Sequence, residues 1–100
     1  MIELLCLGDR IVALIEMILE TDFLLIENLA VSPAHQGRGF GKRLLANAEF
    51  RALEFGYSEV RLYTNKLFAE NVAFYGKHGY RFDGETAFKG GFIVHMSRRV

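Results

Sequence analysis

Apolar residues fall into short runs along the chain, and the small polar breaks between the runs carry most of the early information. Ile2 to Leu7 is apolar but for Glu3 and ends at Gly8-Asp9. Apolar residues resume at Ile11 and continue to Leu19, interrupted only by Glu16. Two runs joined at Gly-Asp predict a hairpin, because glycine takes the positive φ of a tight primed turn. Glu20-Thr21-Asp22 is a second break, and Phe23 to Val31 is a third run. The front of the chain therefore predicts an antiparallel meander of three strands. Ile11–Leu19 is apolar at odd and even positions alike, which predicts burial on both faces.

The pattern then changes period. Pro33 has no N–H to give to a ladder and ends the third strand. Leu44, Leu45, Ala48, Ala52, Leu53 and Phe55 recur at helical spacing, with Asn47, Glu49, Arg51 and Glu54 between them and Gly56 as a stop. Glu59 to Thr64 reads as a short strand, so strand, helix and strand imply a parallel crossover from Phe23–Val31. A second helix is predicted over 68–77, stopped by Gly79. Tyr80–Phe88 and Phe92–Arg99 close the chain as a hairpin around Lys89-Gly90-Gly91. The order β-β-β-α-β-α-β-β is that of a mixed α/β sheet.

Composition narrows the function classes. One hundred residues, 51% of them apolar, make one small domain with a real core. Lys plus Arg equals Asp plus Glu at twelve each, so the basic excess of a nucleic-acid or membrane-surface binder is absent. Cys6 is the single cysteine; it reads as a buried apolar residue, and a lone reduced thiol fits a cytoplasmic setting. The phenylalanines read as core and Arg98-Arg99 as a solvated terminus. His35, His78 and His95 have no metal spacing, and no metal site is expected; they read as solvated or packing residues.

The chemistry concentrates in Val31–Leu45, between the third strand and the first helix. Gly37, Gly39 and Gly41 stand among Arg38, Lys42 and Arg43. Glycines let backbone N–H groups turn inward around an anion, and the first turn of a helix adds unpaired donors. Cations at a helix start are disfavoured by about 0.3–1 kcal/mol each unless an anion joins them. The spacing excludes two familiar phosphate loops. A Walker A loop fails because Gln36 and Arg43 stand where glycine and a hydroxyl are needed. A dinucleotide turn fails because Lys42 stands at its third glycine.

What remains is Gln36-Gly-Arg-Gly-Phe-Gly41, approached through Leu29-Ala-Val-Ser-Pro33. With Arg61-Leu-Tyr-Thr-Asn65 and Glu70-Asn-Val-Ala-Phe-Tyr-Gly-Lys-His-Gly-Tyr80 further on, the chain resembles the GNAT superfamily of N-acetyltransferases over most of its length. The resemblance implies that acetyl-CoA is held by Leu29, Ala30 and Val31, by Gln36, Gly37, Arg38, Gly39, Phe40, Gly41 and Lys42, and by Asn71 and Tyr75. It also implies that Tyr75 protonates the departing thiolate. One departure is Phe68, where many relatives carry an asparagine. Another is the absence, ahead of Met1, of a strand and two helices that usually wall the acceptor site. The chain therefore reads as an N-terminally abbreviated single domain.

An amine acceptor must be neutral to attack. A lysine-like amine with a pKa near 10.4 is neutral in only about one molecule in a few thousand at pH 7, so a base helps. Glu27 on the third strand is the candidate, with Glu16 on the neighbouring strand as the alternative. Tyr57 and Tyr63 read as structural. Backbone N–H groups near Leu29–Val31 are the expected oxyanion donors, if that strand splays from 59–64. The apolar second strand suggests a homodimer in which a second copy covers one sheet face. The leading reading is an enzyme acting on a small-molecule or peptide amine, with no nucleic-acid or membrane partner. The alternatives are a non-catalytic acyl-CoA-binding module or sensor, or a ligand-free dimerisation domain.

Overall fold

The computed structural model describes residues 1–100 as one six-stranded mixed sheet with two helices. The strands are β1 (Ile2–Leu7), β2 (Arg10–Leu19), β3 (Leu24–Val31), β4 (Glu59–Asn65), β5 (Arg81–Phe88) and β6 (Gly91–Arg99). The helices are α1 (Phe40–Glu54), between β3 and β4, and α2 (Ala69–Lys77), between β4 and β5. The expected element order holds throughout. Across the sheet the strands lie in the order β1-β2-β3-β4-β6-β5, and β3–β4 is the parallel pair, as a helical crossover requires. No helix is long and apolar enough to cross a membrane.

The turns form where glycine permits them. Gly8 has φ +63° between β1 and β2, and Gly56 has φ +85° just past α1. Helix α1 begins earlier than its apolar spacing suggests, because the glycine turn itself supplies the start: Gly39 is the N-cap in a left-handed conformation.

Both helices pack on one face. Ala13, Ile15 and Met17 of β2, Leu24 and Ile26 of β3, Val60 and Leu62 of β4, and Val94 and Met96 of β6 are buried with Leu44, Leu45, Ala48 and Ala52 of α1 and Tyr75 of α2. Polar ties hold the layers in place. Glu3 on β1 accepts from Asn47 and Arg51 of α1. Glu49 of α1 accepts from Tyr80 at 2.9 Å and from Arg98 of β6 at 3.3 Å, while Arg98 also donates to the His78 carbonyl at the end of α2. Arg98 is therefore a strut between layers and not the free terminal charge expected of it.

The other face of the sheet is open. Burial of β2 on both sides is incomplete: Val12 is buried, but Ile11 and Ile18 remain 56% and 40% exposed where no helix of the chain lies over them. Ile2 and Leu4 of β1 share this side, with Leu4 paired opposite Leu14. Cys6 is exposed rather than buried, since it is two positions along from Leu4 on the strand. Several phenylalanines expected in the core also lie outside. Phe50 and Phe55 flank the outer side of α1, and Phe88 and Phe92 sit beside the β5–β6 turn.

Two irregularities position the site. Parallel pairing of β3 with β4 covers only Leu24–Val60, Leu25–Arg61 and Ile26–Leu62, after which the strands part. At the same point β3 bulges against β2: Met17 pairs with Ile26 and Glu16 with Asn28, leaving Glu27 as the extra residue. A bulge bends its strand and re-aims its side chains, so the parting of the strands and the outward turn of Glu27 share a local origin.

A cleft between the parted strands and the glycine turn

The parting of β3 from β4 opens a cleft of about 740 Å³ on the helix face. Its walls are the end of β3 (Leu29, Ala30, Val31), the turn into α1 (Gln36, Gly37, Gly39, Phe40, Gly41, Lys42) and one side of α2 (Asn71, Phe74, Tyr75). Eleven of the twelve residues expected to hold acetyl-CoA thus converge on one hollow; Arg38 does not. Arg38 is exposed, between the positive-φ residues Gly37 (+79°) and Gly39 (+80°).

Each wall has a local cause. Gln36 donates through Nε2 to the Val31 carbonyl at 3.3 Å, which folds the turn back on the strand it leaves. A Cβ at Gly37 or Gly39 would meet nothing within 4 Å, so the need for glycine there is conformational and the backbone stays open to a ligand. Gly41 is different. A Cβ there would stand 3.3 Å from the Phe74 ring and 3.7 Å from Val31, so glycine lets α1, α2 and β3 meet closely. No acidic residue lies in the first turn of α1, leaving its partial positive charge uncancelled. Of the charged side chains in the wall, Lys42 and Lys77 outnumber Glu70, so the cleft suits an anion.

Tyr75 is 8% exposed and borders the cleft. Burial alone pushes its hydroxyl up to about 12, and no side-chain hydrogen bond contributes. The group is thus an uncommitted donor that stays protonated at neutral pH. Its ring packs edge-on against Phe74 and Tyr80, at centroid distances of 5.3 and 5.9 Å.

Glu27 lies outside this cleft, on the opposite face of the sheet and beside the point where the strands part. Its Oε1 accepts from the Tyr63 hydroxyl at 3.1 Å. Burial raises the Tyr63 pKa first, and the hydrogen bond and charge of Glu27 add to the rise. Tyr63 also faces His95 at 6.3 Å between ring centroids, and His95 Nε2 shares a 2.8 Å hydrogen bond with the Thr86 hydroxyl. Glu16 is the register partner of Asn28 on β2, one residue past Glu27.

Tyr63, which reads as structural from the sequence, is the group that holds the Glu27 carboxylate. The pairing that brings the two together spans 36 residues and leaves no short-range pattern. His35 and His78 both border the cleft. His78 packs edge-on against Phe74 at 4.7 Å, whereas the buried Nδ1 of His35 has no partner.

Comparison with known proteins bears on the family and the fold. A sequence model of the Acetyltransferase (GNAT) family matches residues 2–80. Among solved structures, an IAA acetyltransferase from Bacillus cereus superposes with a TM-score of 0.88 at 21% identity, over 99% of this chain and 77% of its own. A GNAT family acetyltransferase from Elizabethkingia anophelis, solved with acetyl-CoA bound, gives 0.86 at 16% identity, over 99% of this chain and 75% of its own. The PaiA N-acetyltransferase from Thermoplasma acidophilum, solved with coenzyme A, gives 0.81 at 23% identity, over 95% of this chain and 57% of its own. At these identities the likeness is one of fold. No curated protein sequence matches the chain.

The buried tyrosines set an alkaline limit on stability. Tyr80, like Tyr75, has its pKa raised by burial, with the Glu49 charge adding to the effect. Below about pH 10 both hydroxyls are neutral in the folded and unfolded chain, and their full contribution is present. Above it the unfolded chain ionises first, so stability falls as pH rises through about 12 for Tyr75. Urea unfolding midpoints are expected to be insensitive to these groups from pH 8 to 10 and to drop beyond. Tyr75→Phe should flatten that drop, and an unchanged slope would contradict the assignment.

Proposed function

Because the chain belongs to the GNAT family of acetyltransferases, we propose that it moves an acetyl group from acetyl-CoA to a primary amine by direct attack in a ternary complex. The observation that carries this reading is the position of the cleft: a glycine turn at a helix start, an unpaired strand edge and a protonated tyrosine hydroxyl border one hollow. The turn suits the pyrophosphate, since backbone N–H groups and a helix N-terminus favour phosphate oxygens. Lys42 adds a charge at the same wall. The unpaired edge of β3 near Leu29–Val31 suits the pantetheine amide and the thioester carbonyl. Asn71 faces it from α2.

In this reading Glu27 takes the proton from the incoming amine, directly or through water, on the open face. The amine nitrogen bonds to the thioester carbon, and backbone N–H groups of Leu29–Val31 stabilise the oxyanion. As the carbon–sulfur bond breaks, Tyr75 gives its proton to the CoA thiolate and recovers one from solvent. The two side chains lie on opposite faces of the sheet, which separates the base that prepares the nucleophile from the acid that receives the leaving group. The base assignment favours Glu27 over Glu16, because the bulge sets Glu27 beside the parting of the strands.

The homodimer belongs to the same reading. A second copy covers the apolar side of β1 and β2, where Ile2, Leu4 and Ile11 are each more than half exposed.

Three measurements test these assignments. Tyr75→Phe and Glu27→Gln are each expected to lower turnover about 10²- to 10⁴-fold, read as thiol release, with acetyl-CoA affinity within a few-fold of the parent. Loss of affinity in Tyr75→Phe would make the residue a binding group instead. Gly39→Val forces a β-branched residue into left-handed backbone and should weaken acetyl-CoA binding at least about tenfold by calorimetry; unchanged affinity would remove the turn from the site. Light scattering at micromolar concentration should give twice the chain mass, and a monomer would end the dimer reading.

A further inference from the structure

The open face carries a second hollow, of about 420 Å³, within the size range of small-molecule pockets. It begins at Tyr63 and His95 and runs along β3 and β4 away from the parting of the strands, over Leu25 to Phe23. Tyr63 belongs to both places. Its hydroxyl holds the Glu27 carboxylate while its ring forms part of the hollow's wall. A molecule with an amine at Glu27 and a body lying along Tyr63 would extend into this hollow.

The lining says what such a body is. The arginines and carboxylates around it pair with each other. Arg61 donates to Glu59 at 3.2 Å, Arg81 donates to Asp83 at 3.0 Å, and Arg81 also stands 3.8 Å from Glu59. Two positive and two negative charges cancel, so no carboxylate is left to receive a second cation and no arginine to receive a free acid. What they leave is flat and apolar: the Arg61 guanidinium stacks 4.0 Å above the Phe23 ring, and Leu25, Tyr63 and His95 complete the walls. Aromatic faces and a stacked guanidinium suit a planar apolar group.

We infer that this hollow is the acceptor subsite and takes the aromatic body of an arylalkylamine, its primary amine reaching Glu27 past Tyr63. This inference rests on the amine-transfer reading above. Polyamines, which need several unpaired carboxylates, and simple alkylamines, which leave the hollow empty, are poorer acceptors.

The test compares 2-phenylethylamine, n-butylamine and spermidine as acceptors by thiol release from acetyl-CoA. The expected kcat/KM for 2-phenylethylamine is about tenfold or more above either competitor. Leu25→Trp fills the hollow from its floor. It should raise KM for 2-phenylethylamine about tenfold while leaving that for n-butylamine within about twofold. If a thermal melt shows that this variant is unfolded, Phe23→Ala, which removes the stacked wall, serves in its place with the same expectation. Binding of 2-phenylethylamine is followed separately by amide shifts of Leu25, Tyr63 and His95 in the presence of coenzyme A. Turnover of amines without an aromatic preference, or an equal KM rise for n-butylamine, overturns the inference and leaves amine transfer standing. Saturable 2-phenylethylamine binding that Leu25→Trp abolishes, with no turnover of any amine, keeps the hollow as an arylalkylamine-binding pocket but refutes amine transfer and with it the acceptor role. Neither binding nor turnover overturns both.

Discussion

The interruption of one hydrogen-bond ladder governs the architecture. β3 and β4 pair for three residues and then separate, although both strands continue. Backbone N–H and C=O groups inside a sheet are obligatory hydrogen-bonding groups, and leaving a row of them without a strand partner costs free energy unless water or a ligand satisfies them. The fold supports this gap from both sides. β2 stays paired to β3 as far as Val31, and β6 stays paired to β4 as far as Asn65, so each separated strand is held by its outer neighbour. The bulge at Glu27 supplies the bend that lets β3 leave β4 without breaking from β2. A stretch of unpaired backbone held rigidly in this way is a preformed partner for another extended amide chain.

The glycine turn lies beyond the end of the same gap. Its electrostatics are those of a helix start with no carboxylate in its first turn and a lysine on its wall. The turn needs three glycines for two different reasons. Gly37 and Gly39 take left-handed backbone, whereas Gly41 yields space to Phe74. The second reason links the turn to α2 by direct packing, so the wall that carries Tyr75 and the wall that suits an anion are set relative to each other by one contact.

Much of this was legible in the residues alone, for identifiable reasons. Strand ends coincided with Gly8-Asp9, Glu20-Thr21-Asp22 and Pro33, where backbone chemistry is local. The glycine turn was legible as an anion cradle from its glycines and cations, while its link to acetyl-CoA and the role expected of Tyr75 came from the resemblance to GNAT motifs. What stayed hidden depends on pairing across long separations. Nothing near Tyr63 in the chain announces that a bulge 36 residues earlier aims Glu27 at its hydroxyl. Nothing near Arg98 shows that it will reach Glu49 on the first helix. The mixed pattern of β2 was ambiguous for another reason: apolar residues on both sides of a strand are compatible with burial and with an open apolar face, and only the placement of the helices decides between them.

The struts around Glu49 have a mechanical consequence. Arg98 clamps the His78 carbonyl, and Tyr80 two residues on is held by Glu49, so the C-terminal end of α2 is moored to both α1 and β6. The opposite end has no side-chain cap, and Leu67 and Phe68 beside it are 86% and 58% exposed. Helix α2 is thus held by side-chain hydrogen bonds at its C-terminal end and by the packing of Val72 and Phe74 along its length. Tyr75 stands three residues from the mooring, where a given swing displaces a side chain least, and Asn71 stands a turn further out, where it displaces more. Any tilt of α2 about that mooring would move Asn71 further than Tyr75, so the hydroxyl is the better fixed of the two.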